Sequence, residues 1–345
     1  MNGGFLPGFF VAWLLLSPGA LAASTAHAGL VPIVVDTQAI DTFQRFGADT
    51  RFGEFEFRGG LVLTSPAERF GGLSGIDIRS DGSDFLAVSD RGYWLSGRLV
   101  RSDGRLAGLA DPKFGPILND KGQPLSSRRF SDAESLRFAA DGRGAYVSFE
   151  QSNDLKLYRF KGDPALSRPQ TVELPPSARG MIRNRGLETV ALAPVEGPLA
   201  GSPVLVAERS LDAHGNHRAW VVRGPRAGAF SILRSGDYDV TDGAFMPNGE
   251  LLLLERRVTA LPIGVGMRLR RISGDAIRPG ALLDGPVAME ASMSDQIDNM
   301  EGLAVSSDSD GRIRITLVSD DNLNSFQRTL LLEFVWLGPA DAARL

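Results

Sequence analysis

The sequence contains no cysteine, only three histidines and no long run of basic residues. Without cysteine the chain forms no disulfide, offers no thiolate to a metal and has no cysteine nucleophile. Its 37 Lys and Arg residues are outnumbered by 41 Asp and Glu residues, which gives a formal net charge of −4. This balance argues against nucleic acid or an anionic membrane surface as the natural partner.

Several common catalytic motifs are also missing from the sequence. It contains no P-loop and no dinucleotide-binding fingerprint. The segment "GGLSG" around Ser74 is not a nucleophile elbow, because Ile76 stands where the second glycine is required. His214 and His217 in "DAHGNHRAW" are a candidate metal pair or general base, but the glycine and asparagine between them favour a polar loop.

The most apolar stretch, from Phe5 to Leu16, is too short to span a bilayer. Two Ala-x-Ala sites follow it, which predicts a signal peptide over residues 1–28 that is cleaved after Ala22 or, as we favour, after Ala28. The alternative is a buried N-terminal helix, because the first four residues carry no Lys or Arg. We therefore expect a periplasmic or secreted protein that has no membrane span after cleavage.

Beyond the predicted signal peptide, five stretches repeat one pattern of an apolar strand, a turn and a second apolar strand. They begin near residues 71, 132, 185, 240 and 299 and recur about every 57 residues. The pattern predicts a third strand after each hairpin, as in "YWLSGRLV" and "LKLYRF". This repeat predicts an all-β propeller of four-stranded antiparallel blades that forms a single domain over residues 29–345.

The repeat length fits between five and six blades into the chain. We expect six blades, with five as the alternative. The sixth would be built from the less regular start, "IVVDTQAIDTF" and "GEFEFRGGLVLTS".

Acidic residues recur at the two ends of each hairpin. Residues that face each other in a hairpin are equidistant from its turn, so Glu301 and Asp320 are expected to flank the Asp310-Gly311 turn as a pair. Nine of the ten such positions are carboxylates, with Ser74 as the exception. The nine are Asp90, Glu134, Glu150, Glu188, Glu208, Asp242, Glu255, Glu301 and Asp320.

Like charges on neighbouring strands destabilise a sheet, so a positive charge is expected among these acids. Clustered carboxylate oxygens suit Ca²⁺, which makes the nine acids candidate metal ligands. Arginine is the other source of charge, and four arginines near the hairpin ends are candidate contacts for an anionic ligand: Arg91, Arg185, Arg209 and Arg256. A repeated salt-bridge scaffold without any ligand is a further interpretation of the same pattern.

The sequence resembles the bacterial phytase-like family, described by esterase-like activity of phytase. The resemblance is carried by "NMEGLAV", its echoes "AESLRF" and "GLETVAL", the strand ends "VSDRG" and "LVSDDN", and the segment "ALPIGVGMRLRRI". It implies an exported β-propeller, and it implies calcium held by channel carboxylates and an esterase or phosphoesterase activity. Clustered acidic motifs for a multi-calcium site are not plainly present in this sequence.

For an enzyme of this kind, we expect metal-assisted hydrolysis of an anionic or phosphorylated ester by a monomer, with Glu134 or Glu301 as general base or acid. One alternative is a non-catalytic periplasmic binding or scaffold propeller. A second is a lactonase-like, metal-dependent hydrolase.

Overall fold

A computed structural model describes residue 1 and residues 29–125, 131–183, 185–260 and 263–339. The predicted signal peptide therefore lies outside the described residues. The described part of the chain forms five antiparallel-based sheets, which are the blades of a propeller. None of the described residues belongs to a helix that is long and apolar enough to cross a membrane.

Blades 1 and 2 follow each other along the chain. Blade 1 has the strand order β1-β8-β7-β6-β5, and blade 2 has the order β12-β11-β10-β9. The strands of blade 1 are β1 (Val31–Pro32), β5 (Leu73–Ile78), β6 (Asp84–Ser89), β7 (Tyr93–Ser102) and β8 (Arg105–Pro116). Those of blade 2 are β9 (Ala133–Phe138), β10 (Gly144–Phe149), β11 (Asp154–Arg159) and β12 (Pro169–Val172).

Blades 3 and 4 have the orders β13-β14-β15-β16-β20 and β17-β18-β19-β21. The strands of blade 3 are β13 (Leu187–Leu192), β14 (Pro203–Leu211), β15 (His217–Val221), β16 (Gly228–Ile232) and β20 (Leu282–Leu283). Those of blade 4 are β17 (Asp239–Phe245), β18 (Leu251–Ala260), β19 (Ile263–Ile272) and β21 (Val287–Ala291). Within the described residues, three short 3-10 helices lie in loops, at Pro164–Leu166, Pro176–Ala178 and Gly274–Ala276.

Blade 5 joins the two ends of the propeller, with the order β2-β4-β24-β23-β22 and β3 paired to β4. Its strands are β2 (Asp36–Ile40), β3 (Arg51–Phe52), β4 (Phe55–Thr64), β22 (Asn299–Ser307), β23 (Ile313–Asp320) and β24 (Thr329–Trp336). The propeller fold is thus confirmed, with five blades rather than the six we favoured. Of the early segments expected to begin a sixth blade, the second forms β4, which pairs with β24, and the first forms β2, which pairs with β4, so both complete the fifth blade.

The hydrophobic core lies between neighbouring blades, because each blade exposes apolar side chains on both faces of its sheet. Five buried clusters fill the five interfaces between adjacent blades. Between blades 1 and 2, for example, Trp94 packs edge-on against Tyr158 with ring centroids 5.3 Å apart. This packing holds the innermost strand of each blade side by side around the central channel, namely β5, β9, β13, β17 and β22.

Candidate functional site: an acidic mouth of the central channel

The five inner strands all begin at the same end of the channel, and each has a register shift close to that beginning. In blade 5, Met300 pairs with Ser319 and Gly302 with Val318, so Glu301 is an extra, bulged residue. Asp320 consequently faces Asn299 and not Glu301 as the hairpin arithmetic predicted. Comparable shifts occur in the other four blades. A β-bulge re-aims a side chain, and here it turns the bulged residue to the channel end.

With the bulges included, three equivalent positions of each blade meet at this channel end. The residue that enters the inner strand is, from blade 1 to blade 5, Gly72, Asp132, Gly186, Asp239 and Asn299. The bulged position is Ser74, Glu134, Glu188, Thr241 and Glu301. The third position follows the last core residue of the second strand of each blade. In the same blade order it is occupied by Asp90, Glu150, Glu208, Arg256 and Asp320.

We call the eight carboxylates of blades 1, 2, 3 and 5 in these positions the acidic mouth. They are Asp90, Asp132, Glu134, Glu150, Glu188, Glu208, Glu301 and Asp320. The structure thus brings together seven of the nine predicted metal ligands and adds Asp132, which the sequence reasoning did not single out. If the bulge had been recognised in the sequence, Asp132 would have been identified, because Asp132 and Glu134 are both needed to align blade 2 with blade 5.

Asp242 and Glu255, the two remaining predicted ligands, lie outside the acidic mouth. In blade 4 the bulge falls at Thr241, so the acids stand one residue away from the equivalent positions. Glu255 is fully buried and accepts hydrogen bonds from Arg268 Nε at 2.5 Å and Arg270 Nη2 at 2.5 Å. Two guanidiniums occupy its oxygens, which makes it a structural ion pair.

Two overlapping groups of carboxylates in the mouth have the spacing of metal ligands. Asp132, Glu134 and Glu150 each offer an oxygen within 4.8 Å of the others, and so do Glu150, Glu188 and Glu208. Glu150 belongs to both groups. Its Oε1 also accepts a hydrogen bond from the amide of Gly186 at 3.2 Å, which fixes its direction.

Crowding and burial perturb these carboxyl groups strongly. Burial, together with the charges of Asp132 and Glu150, raises the pKa of Glu134 well above its ordinary value. Burial and the charges of Glu134 and Glu150 do the same to the pKa of Glu188. Burial raises the pKa of Glu208 to about 7, against the opposing effect of Arg256. All three shifts have the same direction: burial and neighbouring negative charges favour the protonated carboxyl groups, and a bound cation would oppose this.

On the blade 5 side, burial raises the pKa of Asp320 to about 8, with further contributions from Glu301 and Asp90. The Oδ1 atom of Asp320 accepts a hydrogen bond from the amide of Asn322 at 2.6 Å. Gly72 packs against Asp90: its φ is +64°, and a Cβ there would collide with Asp90 Oδ1. Glycine at this position therefore leaves room for the Asp90 carboxylate.

Arg256 is the cation that blade 4 contributes at an otherwise acidic position. Its Nη1 donates to Glu301 and to Asn299, and its Nη2 lies 3.6 Å from Glu208. Although burial opposes it, the charges of Glu301 and Glu208 raise the pKa of Arg256. Arg256 therefore neutralises the blade 5 side of the mouth and reaches the second triad at Glu208, whereas none of the described residues places a guanidinium in an ion pair with Glu134 or Glu150.

The other three predicted anion-binding arginines are arranged differently from Arg256. Arg209 is committed to Asp239, with its Nε 2.6 Å from Oδ2. Arg91 lies beside the mouth, 4.0 Å from Asp90 Oδ1, and its side chain is 39% exposed. Arg185 is exposed just before β13 begins. Arg91 and Arg185 thus remain accessible to an incoming ligand.

A buried ion pair closes the channel beneath the mouth. Arg137, three residues beyond Glu134 on β9, donates from Nη2 to Asp242 Oδ2 at 2.9 Å. The same guanidinium donates to the carbonyls of Ile76, Gly243 and Leu303, which belong to blades 1, 4 and 5. Arg137 and Asp242 thus lie across the channel beneath the acidic mouth, and we call this pair the floor of the mouth.

His217 is not the polar loop residue that the sequence favoured. It begins β15, is fully buried, and its Nδ1 lies 2.6 Å from the carbonyl oxygen of Glu208. Burial lowers its pKa. His217 therefore supports the backbone of the mouth as a neutral imidazole and belongs to neither carboxylate triad.

The fold and this site define a five-bladed β-propeller with a carboxylate-lined channel mouth. A family model for phytase-like proteins, described as esterase-like activity of phytase, matches residues 68–323, about three quarters of the chain. The chain therefore belongs to the phytase-like family, as its motifs indicated. No curated protein matches it.

Among solved structures, the chain is similar to the holo form of the PQQ domain of a pyranose dehydrogenase from Coprinopsis cinerea. Identity is 8% and the TM-score 0.41, over 87% of this chain and 97% of that one. It is also similar to a gluconolactonase from Xanthomonas campestris, at 12% identity and a TM-score of 0.41, over 88% of this chain and 97% of that one. At these TM-scores neither likeness bears on the chemistry of this chain.

Proposed function

We propose that this protein is an exported, calcium-dependent hydrolase of anionic esters and that the acidic mouth is its active site. The observation that carries this proposal is the pair of carboxylate triads that share Glu150. Membership of the phytase-like family supports a hydrolase, and the site geometry supports its dependence on a metal.

The donor set fits calcium. Every ligand atom in the two triads is a carboxylate oxygen, and Ca²⁺ takes six to eight such oxygens in flexible geometry. The raised pKa values of Glu134 and Glu188 show that charge is unfavourable there without a cation. Asp132, Glu134 and Glu150 would hold one ion, and Glu150, Glu188 and Glu208 a second.

Bound calcium would neutralise the anionic ester and polarise its reacting oxygen. Glu301, oriented by Arg256 and by Asn299 Nδ2 at 2.8 Å, is the candidate general base that accepts a proton from the attacking water. Asp320, outside both triads and with a pKa raised to about 8, is the candidate acid that donates a proton to the leaving oxygen. Glu134, a candidate base in the sequence reasoning, is better placed as a ligand.

The rim completes the substrate site. Arg91 and Arg185 are accessible and would contact the phosphate or carboxylate group of the substrate. The floor formed by Arg137 and Asp242 would keep the substrate at the mouth, since the channel is blocked behind it.

Calcium titration of the purified protein by calorimetry tests the proposal, with Glu150→Gln as the variant and Glu196→Gln, at an exposed loop residue, as the matched control. We expect saturable binding in the wild type and in the control, and its loss in Glu150→Gln. Hydrolysis of p-nitrophenyl phosphate, p-nitrophenyl acetate and a lactone is then measured in calcium and in chelator.

The outcomes separate the three classes of function. Turnover of the phosphate or acetate ester that requires calcium supports the proposal, and turnover of the lactone alone favours a lactonase-like enzyme. Calcium binding without turnover favours a non-catalytic binding propeller. Absence of calcium binding in the folded wild type refutes the metal site and leaves the acids as a structural scaffold.

Export is tested separately by N-terminal sequencing of the protein from the periplasm and from the medium. Cleavage after Ala28 leaves Gly29 as the first residue. Gly29 precedes β1, which pairs with β8 at the edge of blade 1, so cleavage there removes none of the propeller strands. Recovery of uncleaved protein from the cytoplasm alone would contradict export.

A further inference from the structure

A cavity lies at the end of the central channel opposite the acidic mouth, beyond the Arg137–Asp242 pair. It has a volume of 380 Å³ and is formed by the last residues of the inner strands. Each of the five blades contributes an apolar residue to its wall, namely Ile78, Phe138, Leu192, Phe245 and Val305. The cavity is therefore an axial funnel that is mainly apolar, which is the usual character of a small-molecule pocket.

The floor of this axial funnel contains buried polar atoms that the protein leaves unsatisfied. Arg137 lines the cavity and is 4% exposed, and among the described residues no partner accepts a hydrogen bond from its Nε. Ser306, which is 7% exposed and also lines the cavity, has no partner for its Oγ among the same residues. Leaving buried donors unpaired is costly, so both groups would gain from an acceptor that reached them.

The charged groups that line the funnel are the guanidiniums of Arg79 and Arg137 and the carboxyl group of Asp77. The guanidinium of Arg79 lies 4.5 Å above the ring of Phe138, and its Nη1 donates to Gly142 O at 3.0 Å. Asp77 is the acid of the lining, but both its oxygens already accept backbone hydrogen bonds, from Ile78 at 2.9 Å and Phe138 at 2.8 Å. The hydrogen-bond donors of the lining that remain for a ligand are thus cationic or neutral.

We propose that the axial funnel binds a small amphipathic carboxylate. Its apolar body packs against the five-blade wall, and its carboxylate faces Arg79, Arg137 and Ser306. This site is separate from the acidic mouth, because the Arg137–Asp242 pair lies between them. It does not depend on the hydrolase proposal or on calcium.

Calorimetric titration of hexanoate into the full-length mature protein tests this inference. Chelator is present throughout, so that no metal at the acidic mouth can bind the carboxylate. We expect single-site, saturable binding of hexanoate and none of hexylammonium, which has the same apolar body and the opposite charge.

Two variants locate the site. Val305→Phe fills the funnel and is expected to weaken binding about tenfold or more, and Arg79→Gln is expected to weaken it about tenfold through loss of a charge-assisted contact. Arg79 is partly exposed, so its variant remains informative if Val305→Phe does not fold. Arg137 is left unchanged because its removal would leave Asp242 buried without a counter-charge.

Arg143→Gln, at an exposed turn next to the funnel, and Glu150→Gln, in the acidic mouth, are the controls and are expected to bind hexanoate like the wild type. Absence of saturable binding in the folded wild type overturns the proposal. So does unchanged affinity in the folded Val305→Phe and Arg79→Gln variants, or equal binding of hexylammonium. Loss of binding in Glu150→Gln would assign the carboxylate to the mouth instead.

Discussion

Raising the pH of the metal-free protein from about 6.5 to about 8.5 is expected to lower its free energy of unfolding by about 3 kcal/mol. The ordinary pKa values of Glu208 and Asp320 are 4.5 and 3.8, so both are ionised in the unfolded chain throughout this range. In the fold, burial raises the pKa of Glu208 to about 7 and that of Asp320 to about 8. The folded state therefore holds protons that the unfolded state has lost, and stability falls as the pH rises through the folded values.

The magnitude follows from these two values. Between the two pH limits, a carboxyl with a folded pKa of about 8 loses about 2 kcal/mol, and one with a folded pKa of about 7 loses about 1 kcal/mol. Glu134 and Glu188 act in the same direction because burial raises their pKa values too. His217 opposes them only slightly, because burial lowers its pKa and the unfolded imidazole, with an ordinary pKa of 6.5, has already lost half of its protons at the lower pH limit.

Urea denaturation followed by tryptophan fluorescence, in chelator and in calcium, measures the effect. Asp320→Asn is expected to remove about 2 kcal/mol of the pH dependence. Asp308→Asn is the control, since hydrogen bonds from Arg312 outweigh burial and lower the pKa of Asp308, which is therefore ionised over the whole range. Saturating calcium should remove the part of the decline that comes from Glu208, a ligand of the second triad, and leave the part that comes from Asp320, which lies outside both triads. A metal-free stability that is constant or rises with pH would refute this account of the mouth.

Three further variants probe particular contacts. Arg256→Gln is expected to cost about 3 kcal/mol of unfolding free energy in chelator, measured in urea, because Glu208 and Glu301 lose their shared cation; an unchanged stability would contradict that role. Asp242→Asn is expected to cost about 3 kcal/mol by leaving Arg137 uncompensated, while calorimetry shows calcium affinity like that of the wild type. Gly72→Ala should cost about 2 kcal/mol more than Gly280→Ala, because both glycines have positive φ but only the Cβ at Gly72 meets another residue.

The fold was largely predictable because the repeat is visible in the spacing of apolar strands and turns. The blade count was not, because the segments 33–43 and 53–65 have the composition of strands but carry no signal for their partner. Pairing of β4 with β24 joins residues at the two ends of the propeller, and strand propensity alone does not specify such distant partners. Together the two segments are long enough for two strands, which complete one blade and are too few to form another.

The candidate site was predictable in residue type more than in pairing. Turn positions correctly indicated that the hairpin ends carry acids, but symmetry about a turn assumes an uninterrupted ladder. The bulge at each inner strand shifts the pairing by one residue, and this is why Asp132 was missed and why Asp242 and Glu255 were assigned to the mouth. The symmetry of residues about the hairpin turns also did not predict that Arg256 takes the place of a carboxylate in blade 4.

Closure of the ring through blade 5 imposes an order on the synthesis of the chain. β2 and β4 leave the ribosome before the strands of blades 2, 3 and 4, yet the partner of β4 within its sheet, β24, is made after all of them. Until then, Phe55, Phe57 and Leu61 have no complete blade in which to be buried. From the synthesis of β4 until that of β24, the nascent polypeptide therefore carries an unpaired strand edge. The finished propeller forms only after translation of β24.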